Sequence, residues 1–560
     1  MKNLYSILII LLFSSNVFSQ NSEGEIEDAQ ILIEKNSQII LQNSDKKINR
    51  IDLEKNNFKK KKTSFDLIDN LFSKDIRKID KVVKKEELKE TLTPTKLTLL
   101  GGNYKSYLLH FNPNIIVNNE LSIFSDFFIK SNSKGSVNNE LSQNKLFDNN
   151  LTINYKLTNY SSLTSNISYK TRSRGFYGFD SRMNVSENLI NDLKFKNNIF
   201  DYGINWGRYK KKLRYDLSIS GHNYRENSFL KLGDKNLNFK GNITYKSKRI
   251  EISLSPRNKL YKLGAYSVIQ SKYQHQIKLR SLELPLFIKY YGNNLRIGIG
   301  VKYSSLKREV KESELFGGFY PEMNISYSIK NLSFSLNFKQ DIYFDEYSKK
   351  IESFPFLYSP YMFNEISNSD INLNLNSKIN YQFSNKSYLE FEYNRVDITG
   401  RLKYHSYTGD IRPDELTFPI YLYSLIRYED QEIINNYNIK ANLILSDRIS
   451  SQIKLKYNDY EKTETFIPEY EIGLLSMYKS NNFNIQLALN IYLENHGITF
   501  DNKSFDMDPY LNLKLNTNYD ISEKLSVHLN IDNILNRNNE IYFMYPELGT
   551  NLLSGLTWKF

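Results

Sequence analysis

Six histidines are the residues of this chain best suited to acid–base or metal chemistry. A hydrolytic site needs a nucleophile beside a base that a third group holds in place. His222 stands near Arg225 and Glu226 in the sequence, and His405 stands near Asp410. Neither spacing is diagnostic, and the histidines follow no metal-ligand pattern. We therefore predict no catalytic residue, no metal site, no cofactor and no enzymatic activity. The six are His110, His222, His275, His405, His496 and His528.

Two aromatic-rich segments offer a different chemistry, the binding of a ligand by rings and cations. One segment follows a pair of arginines, and the other surrounds a proline. Aromatic platforms beside arginine suit glycans or peptides, because a ring face attracts a cation and stacks on planar groups. The alternative is that these rings pack on one another and only order the loops. The candidate ligand-binding residues, all expected in external loops, are Arg172, Arg174, Phe176, Tyr177, Phe179, Tyr358, Tyr361 and Phe363.

The elements that carry these loops follow from a hydrophobic period of two. From about Lys96 onward, apolar residues alternate with polar ones, as in residues 295–303, 332–338, 483–489 and 511–515. A β-strand places successive side chains on opposite faces, so each segment has one apolar and one polar face. Helical spacing fits almost none of these segments. They are predicted to be strands.

The connections between the predicted strands alternate between short and long. Short turns on the periplasmic side and long loops on the outside are typical of a membrane β-barrel. About 22 strands, within a range of 20–24, are predicted, and the number is even because both barrel ends face the periplasm. The strand boundaries are least certain at residues 256–279 and 399–431. The long loops are expected near residues 175–193, 223–235, 345–370, 399–431 and 494–508.

Composition favours strands whose polar faces line water. Tyr (42) and Phe (34) are abundant, Gly (23) and Pro (12) are scarce, and mean hydropathy is −0.53. The many polar side chains on the second face of each strand cannot be buried in an apolar core without water, but they can line the hydrated interior of a large barrel. Leu336 and Leu487 are thus expected to face lipid, and their neighbours Ser335 and Gln486 to face water. The predicted fold class is all-β, a transmembrane antiparallel meander β-barrel with a short N-terminal extension.

The segment 550–560, TNLLSGLTWKF, has the pattern of a closing barrel strand. Its apolar residues share one face, and the chain ends on an aromatic residue. The spacing of Gly555, Trp558 and Phe560 resembles the carboxy-terminal assembly signal of outer-membrane barrels. We therefore expect the barrel assembly machinery and outer-membrane lipid as partners, in the outer membrane of a Gram-negative-type envelope.

The first residues predict export. Lys2, the apolar run 4–13 and the small-residue pattern at 17–19 form a signal peptide. The expected domains are a signal peptide (1–19), a periplasmic or luminal N-terminal extension (20–95) and the barrel (96–560). The chain has no cysteine, which excludes disulfides and a lipid anchor on cysteine. In an exported chain, the net charge of +13 indicates lumen lysines or contact with anionic headgroups or sugars, not nucleic acid.

The segment 510–560 resembles the end of the barrel of TonB-dependent receptors. The resemblance rests on the Asn-Leu-like element 532–535, on Tyr545, Pro546 and Gly549 in the following loop, and on the final Trp-Lys-Phe. It implies an outer-membrane receptor barrel that binds or transports a ligand. Receptors of this family also carry an N-terminal plug domain and a short box that recruits TonB. Only roughly 75 residues precede this barrel after the signal peptide, and they lack the Gly-rich strand pattern of a plug.

A barrel without a plug would leak solutes, so its lumen must be occluded. The candidates are the N-terminal segment, the long loops folded inward, or a partner protein. The Lys59–Lys62 run could meet lumen carboxylates such as Glu390 and Glu392. Two functions are favoured: binding or transport of a ligand across the outer membrane, with TonB as a partner, or a non-transporting structural barrel that anchors other envelope proteins. A third class, an outer-membrane enzyme, is disfavoured by the spacing of the histidines.

The assembly signal gives a first prediction. Phe560→Asp, or deletion of residues 558–560, should abolish stable insertion, because a charge at the terminal aromatic site spoils both recognition and the lipid-facing edge. Heat-modifiable migration of protein from outer-membrane fractions measures this. Recovery of the folded, heat-modifiable form at normal yield would contradict it.

Overall fold

The computed structural model describes residues 95–560 apart from eleven gaps. The residues left out are 138–139, 179–192, 211, 228–231, 266–276, 310–312, 358–367, 385, 410–419, 462–465 and 500–502. The predicted signal peptide and all but the last residue of the predicted extension lie outside the described residues. Within the described part of the chain, no helix is long and apolar enough to span a membrane.

Strands dominate the described residues. In chain order they are β1 Lys96–Gly102, β2 Ser106–Asn112, β3 Asn114–Ile116, β4 Leu121–Asn132, β5 Asn144–Thr158, β6 Ser161–Gly175, β7 Lys194–Lys210, β8 Leu213–Asn227, β9 Leu232–Lys246, β10 Ile250–Leu254, β11 Arg257–Ala265, β12 Ile277–Tyr291, β13 Leu295–Glu309, β14 Ser313–Ile329, β15 Leu332–Phe344, β16 Asn368–Gln382, β17 Tyr388–Gly409, β18 Ile420–Ile444, β19 Ile449–Tyr460, β20 Tyr470–Lys479, β21 Phe483–Leu493, β22 Asn495–Ile498, β23 Ser504–Met507, β24 Tyr510–Asp520, β25 Leu525–Asp532, β26 Glu540–Tyr542, β27 Tyr545–Pro546 and β28 Asn551–Lys559. One α-helix, α1, spans Tyr347–Ser353, and a 3-10 turn spans Glu140–Ser142.

These strands close into a barrel of 22 antiparallel strands, which confirms the predicted fold class and strand number. β2 and β3 form one barrel strand interrupted at Pro113, and β10 and β11 form another interrupted at Pro256. Proline lacks the N–H of a ladder bond, but its carbonyl still accepts one. The Pro256 oxygen accepts from the Gly241 N–H at 2.9 Å. β22–β23 and β26–β27 are small hairpins in the loops.

The barrel closes where β1 pairs with β28 over seven residue positions. Leu97 lies opposite Trp558, and Leu99 lies opposite Leu556, so apolar side chains cover the seam from outside. Gly555 stands in a tight place here, because a Cβ on it would lie 1.9 Å from the Leu99 carbonyl oxygen. This close approach gives the glycine of the predicted assembly signal a local structural reason.

The outer surface carries the apolar faces that the sequence predicts. Ile299 and Trp558 are 61% and 54% exposed, and similar side chains recur on almost every strand. One detail of the face assignment is wrong. Gln486 points inward as expected, but it is only 5% exposed. It therefore does not face open water.

Two of the predicted long loops are shorter than expected. Most of residues 399–431 continues the strands: β17 reaches Gly409 and β18 begins at Ile420. A bulge at Gly400, where φ is +74°, shifts the register there. Beyond the bulge both faces are covered, as at Lys403 and Leu402, so the polar–apolar alternation that marks membrane strands disappears. Likewise, β8 and β9 extend into the loop expected at 223–235.

The lipid-facing pattern gives a prediction with a neighbouring control. Leu336 pairs with Ile325 on the outer face, so Leu336→Arg should cost roughly 2–4 kcal/mol of stability near the bilayer centre. Ser335→Arg, one residue away on the lumen face, should cost much less. Urea unfolding in lipid vesicles measures both variants. Equal destabilisation would show that the face assignment is wrong.

Candidate functional site

The interior of the barrel is apolar at the end where the long loops emerge. A single cluster of buried apolar side chains fills this end, which we call the mouth. Its members come from strand ends on several sides of the barrel and from the loops between them. The described parts of these loops therefore pack against one another. Members include Leu141, Phe176, Phe195, Tyr224, Tyr261, Leu279, Tyr347, Phe354, Phe356, Tyr423, Phe466 and Tyr545.

The segment 345–357, which we call the crossing loop, holds this cluster together. It follows β15, yet its helix α1 packs against the inner faces of β8, β9 and β11. The Tyr347 hydroxyl donates to Glu226 at 3.0 Å, and the Tyr347 N–H donates to the Tyr261 hydroxyl at 3.1 Å. The Ser348 N–H donates to Asp234 at 2.9 Å. The loop thus reaches a wall of the barrel distant from the strand that precedes it.

An ion pair fastens the start of the crossing loop. The Glu346 carboxylate accepts from Lys259 Nζ and from Asn236 Nδ2, each at 2.6 Å, and also contacts Lys349. Burial disfavours the ionised carboxylate, but the two ammonium groups outweigh this effect and lower the pKa of Glu346 below its ordinary value. Glu346 therefore stays ionised and keeps the pair intact.

His222 belongs to the same polar network. Its Nδ1 lies 2.5 Å from Asp201, and its Nε2 lies 3.0 Å from the Ser348 hydroxyl and 3.4 Å from Asp234. Serine, histidine and aspartate in this order resemble a hydrolase triad. Ser348 is only 1% exposed, however, so a substrate cannot reach its hydroxyl in this arrangement. The observed contacts fasten the crossing loop to the wall.

His405, the other histidine considered from the sequence, is fully buried. It stacks against Tyr428, whose hydroxyl lies 2.9 Å from its Nε2. The neighbour considered for it, Asp410, lies outside the described residues. Within those residues, no group of three or more His, Asp or Glu side chains could hold a metal ion.

Two phenylalanines of the crossing loop join the loops around the mouth. Phe354 stacks on Tyr404 with 4.2 Å between ring centroids, and its edge contacts Tyr542 at 4.4 Å. Phe356 stacks on Tyr545 at 3.7 Å and meets Tyr177 edge-on at 5.6 Å. These rings come from segments far apart in the sequence, so their contacts hold the described parts of several loops together at the mouth.

Four of the eight predicted ligand-binding residues lie in or beside this closure. The Arg174 guanidinium lies over the rings of Phe195 (5.0 Å) and Phe356 (5.6 Å). Phe176 packs on Phe195 at 4.7 Å, and the Tyr177 hydroxyl donates to the Pro546 carbonyl at 3.2 Å. Arg172 precedes them on β6. The structure thus brings the first predicted segment against the crossing loop. The crossing loop directly precedes the second predicted segment in the chain. Phe179, Tyr358, Tyr361 and Phe363 lie outside the described residues.

Phe176 and Tyr177 pack on other rings, which agrees with the alternative that these segments only order the loops. Their role in ligand binding stays a prediction. Arg174 is different. It is 8% exposed, and its Nε and Nη2 atoms have no hydrogen-bond partner among the described residues. Burying such donors without an acceptor is costly. A buried guanidinium between ring faces suits an anionic or aromatic group.

Sequence reasoning missed several residues of the mouth. Phe354, Phe356, Tyr542 and the polar residues that hold α1 were not among the candidates. The aromatic runs 354–358 and 542–545 are visible in the sequence. The contact between these two runs is not visible in the sequence, because several hairpins separate Phe354 from Tyr542 along the chain.

No family model matches the sequence, and no curated protein matches it. Solved structures do match. A mutant of the ferric enterobactin receptor PfeA from Pseudomonas aeruginosa superposes with a TM-score of 0.63 at 11% identity, over 83% of this chain and 80% of that one. The siderophore receptor PirA from Acinetobacter baumannii gives 0.62 at 11%, over 83% and 80%.

A third similar structure is the ferric-catecholate import receptor Fiu from E. coli K12, with a TM-score of 0.63 at 8% identity over 84% of this chain and 82% of that one. At such low identity the likeness shows a shared fold. The barrel resemblance inferred from segment 510–560 is therefore confirmed at the level of fold. A closed 22-strand barrel with an apolar outer surface locates the protein in the outer membrane.

The closure of the mouth predicts how the crossing loop responds to mutation. Phe354→Ala together with Phe356→Ala should release it, because each buried phenylalanine stabilises its surroundings by roughly 3–5 kcal/mol relative to alanine. Chymotrypsin added to intact cells should then cut at the aromatic end of the loop, after the otherwise buried Leu357, much faster than in the wild type. Phe383→Ala, which removes a 53% exposed ring at a periplasmic turn, is the control. Unchanged cleavage in the double variant would contradict this account.

Proposed function

We propose that this barrel binds a small anionic, ring-bearing ligand at its mouth and moves it across the outer membrane. The observation that carries the proposal is Arg174: a buried guanidinium between two rings, with two donor atoms that no described residue satisfies. A ligand carboxylate or phenolate would accept from these donors, and its ring would replace part of the ring contacts around Phe356.

Ligand binding requires the crossing loop to shift. In the closed arrangement Phe356 covers Arg174 and stacks on Tyr545. A ligand that binds the open arrangement more tightly than the closed one shifts the equilibrium towards the open arrangement, and the size of the shift is set by the difference between the two affinities. The polar network at Glu346 and His222 leaves one end of the loop anchored while the aromatic end moves. The mouth thus acts as a binding site and as a gate.

The structural neighbours suggest a ligand class for the first experiment. PfeA is a ferric enterobactin receptor, and Fiu is a ferric-catecholate import receptor. Ferric catecholates are anionic and present aromatic rings, which is the chemistry that Arg174 and the surrounding rings accept. We therefore propose a ferric catecholate as the ligand class, with TonB as the energising partner and residues 20–95 as a periplasmic or luminal extension.

The test uses ferric enterobactin carrying radioactive iron as the probe, in cells that lack their own catecholate receptors and express the full chain. Saturable binding in the cold and uptake at growth temperature are expected. Arg174→Gln should weaken binding roughly tenfold to a hundredfold, as the loss of a charge-assisted contact does. Arg448→Gln removes the same side chain from a periplasmic turn and should leave binding unchanged.

A second strain that also lacks TonB separates binding from transport. Retained binding with lost uptake would support energised transport. Absence of binding in every strain would exclude ferric enterobactin as a ligand. Normal assembly without binding or uptake of any ferric catecholate would contradict the proposal and favour the structural role, a barrel that anchors envelope proteins.

A further inference from the structure

Five basic side chains form a patch on the outer surface of the barrel. Each of them is exposed, whereas the residue before it in its strand is buried. Successive side chains of a strand point to opposite faces, so these five point away from the lumen, on the same side as the exposed Leu260 and Leu282. We call this set the basic patch, and its members are Lys235 on β9, Lys262 on β11, Lys278 and Arg280 on β12, and Lys307 on β13.

The strand register places these cations directly beside one another. Lys262 lies opposite Lys235 on one neighbouring strand and opposite Lys278 on the other. Arg280 lies opposite Lys307. Side chains that oppose each other in this way are roughly 5 Å apart at Cβ, and like charges in such pairs destabilise a sheet. An anion that binds among these groups would relieve this repulsion.

The barrel itself supplies little negative charge to the patch. Among the described residues, the one carboxylate at ion-pair distance is that of Glu309, which lies 3.2 Å from Lys307. Glu309 also lies opposite Lys278 on the neighbouring strand. The described residues thus give the basic patch one carboxylate for five cations.

The basic patch lies at the outer boundary of the lipid. On β12 the outward residues from Leu282 to Tyr290 are apolar and exposed, and Tyr290 stands next to a periplasmic turn. From Tyr290 to Arg280 the strand has eleven residues, and a strand crosses the bilayer in about 9–11. Arg280 therefore stands where the hydrocarbon ends on the outer side, and Lys278 lies one step further out.

The opposite wall of the barrel has a different charge at a comparable distance from its periplasmic turns. Outward positions there hold Asp397 on β17 and Asp459 on β19. Asp397 accepts from Gln431 at 2.7 Å, and Asp459 accepts from Asn435 at 3.2 Å. The basic patch is therefore a feature of one side of the barrel and not a general property of its rim.

We infer that the basic patch binds the phosphate groups of a glycolipid of the outer leaflet. Phosphate at the headgroup level accepts from Arg280 and from the lysines beside it, as charge-assisted hydrogen bonds require. The acyl chains of the same lipid lie along the apolar residues below, such as Leu260 and Leu282. A lipid is the partner that fits, because the patch is continuous with the lipid-facing surface. This inference does not rest on the ligand proposed for the mouth.

Native mass spectrometry of the full chain, purified in detergent, tests the inference with two probes. One probe is lipid A carrying both of its phosphates, and the other is the same lipid with both phosphates removed. The wild type should bind the phosphorylated form more tightly. Lys262→Gln with Arg280→Gln should weaken this binding roughly tenfold, because charge-assisted contacts to phosphate are lost.

A matched control removes the same two charges elsewhere. Lys386→Gln with Arg448→Gln changes exposed side chains of two periplasmic turns and should leave the affinity unchanged. Heat-modifiable migration checks assembly, and Lys235→Gln with Lys278→Gln repeats the test at other positions of the patch. Equal affinity for the two lipids would overturn the inference. So would equal affinities of the wild type and both patch variants, or an equal loss in the control variant. Uptake of ferric enterobactin, measured separately, does not enter this comparison.

Discussion

The structure depends on one constraint: inside a bilayer, every backbone N–H and C=O must find a partner within the protein. A sheet satisfies this only if it has no free edge. The pairing of β1 with β28 removes the edge, and Gly555 lets the two backbones approach at the seam. Once the ring is closed, the period of two follows on all strands, because one face must meet lipid and the other the lumen. The mouth and the crossing loop are both built on this ring.

The two ends of the lumen solve the same problem differently. At the mouth, buried rings and a polar network occupy the interior. The network attaches α1 to β8 and β9, which are not neighbours of β15, the strand that precedes α1. At the other end the wall stays polar and carries excess positive charge. The two ends of the lumen therefore differ in the side chains that line them: aromatic rings at the mouth, and polar and basic side chains at the other end.

The sequence predicts the barrel well because its signal repeats on every strand. Leu295 to Tyr303 and Leu511 to Leu515 report the same inside–outside alternation, and the short turns fix the direction. The signal ends where the environment changes. The outer parts of β17 and β18 were predicted as a loop. Both faces of this strand pair are buried there, as Lys403 and Leu402 show, so the polar–apolar alternation is lost. The contact of Phe354 with Tyr542 was not predictable either, because no local pattern records which loops meet. Arg174 is among the candidates because arginine beside aromatic residues is a local signal, and its role in binding stays a prediction.

The length of β17 and β18 has a consequence at the cell surface. With 22 and 25 residues, they are the longest strands, while a membrane crossing needs only about 9–11. This hairpin therefore stands well above the lipid on one side of the mouth. Its outer part carries Tyr404 and Tyr423, whose rings pack on Phe354, so the same hairpin that rises above the lipid also forms one side of the mouth. A displacement of this hairpin therefore carries rings of the mouth with it.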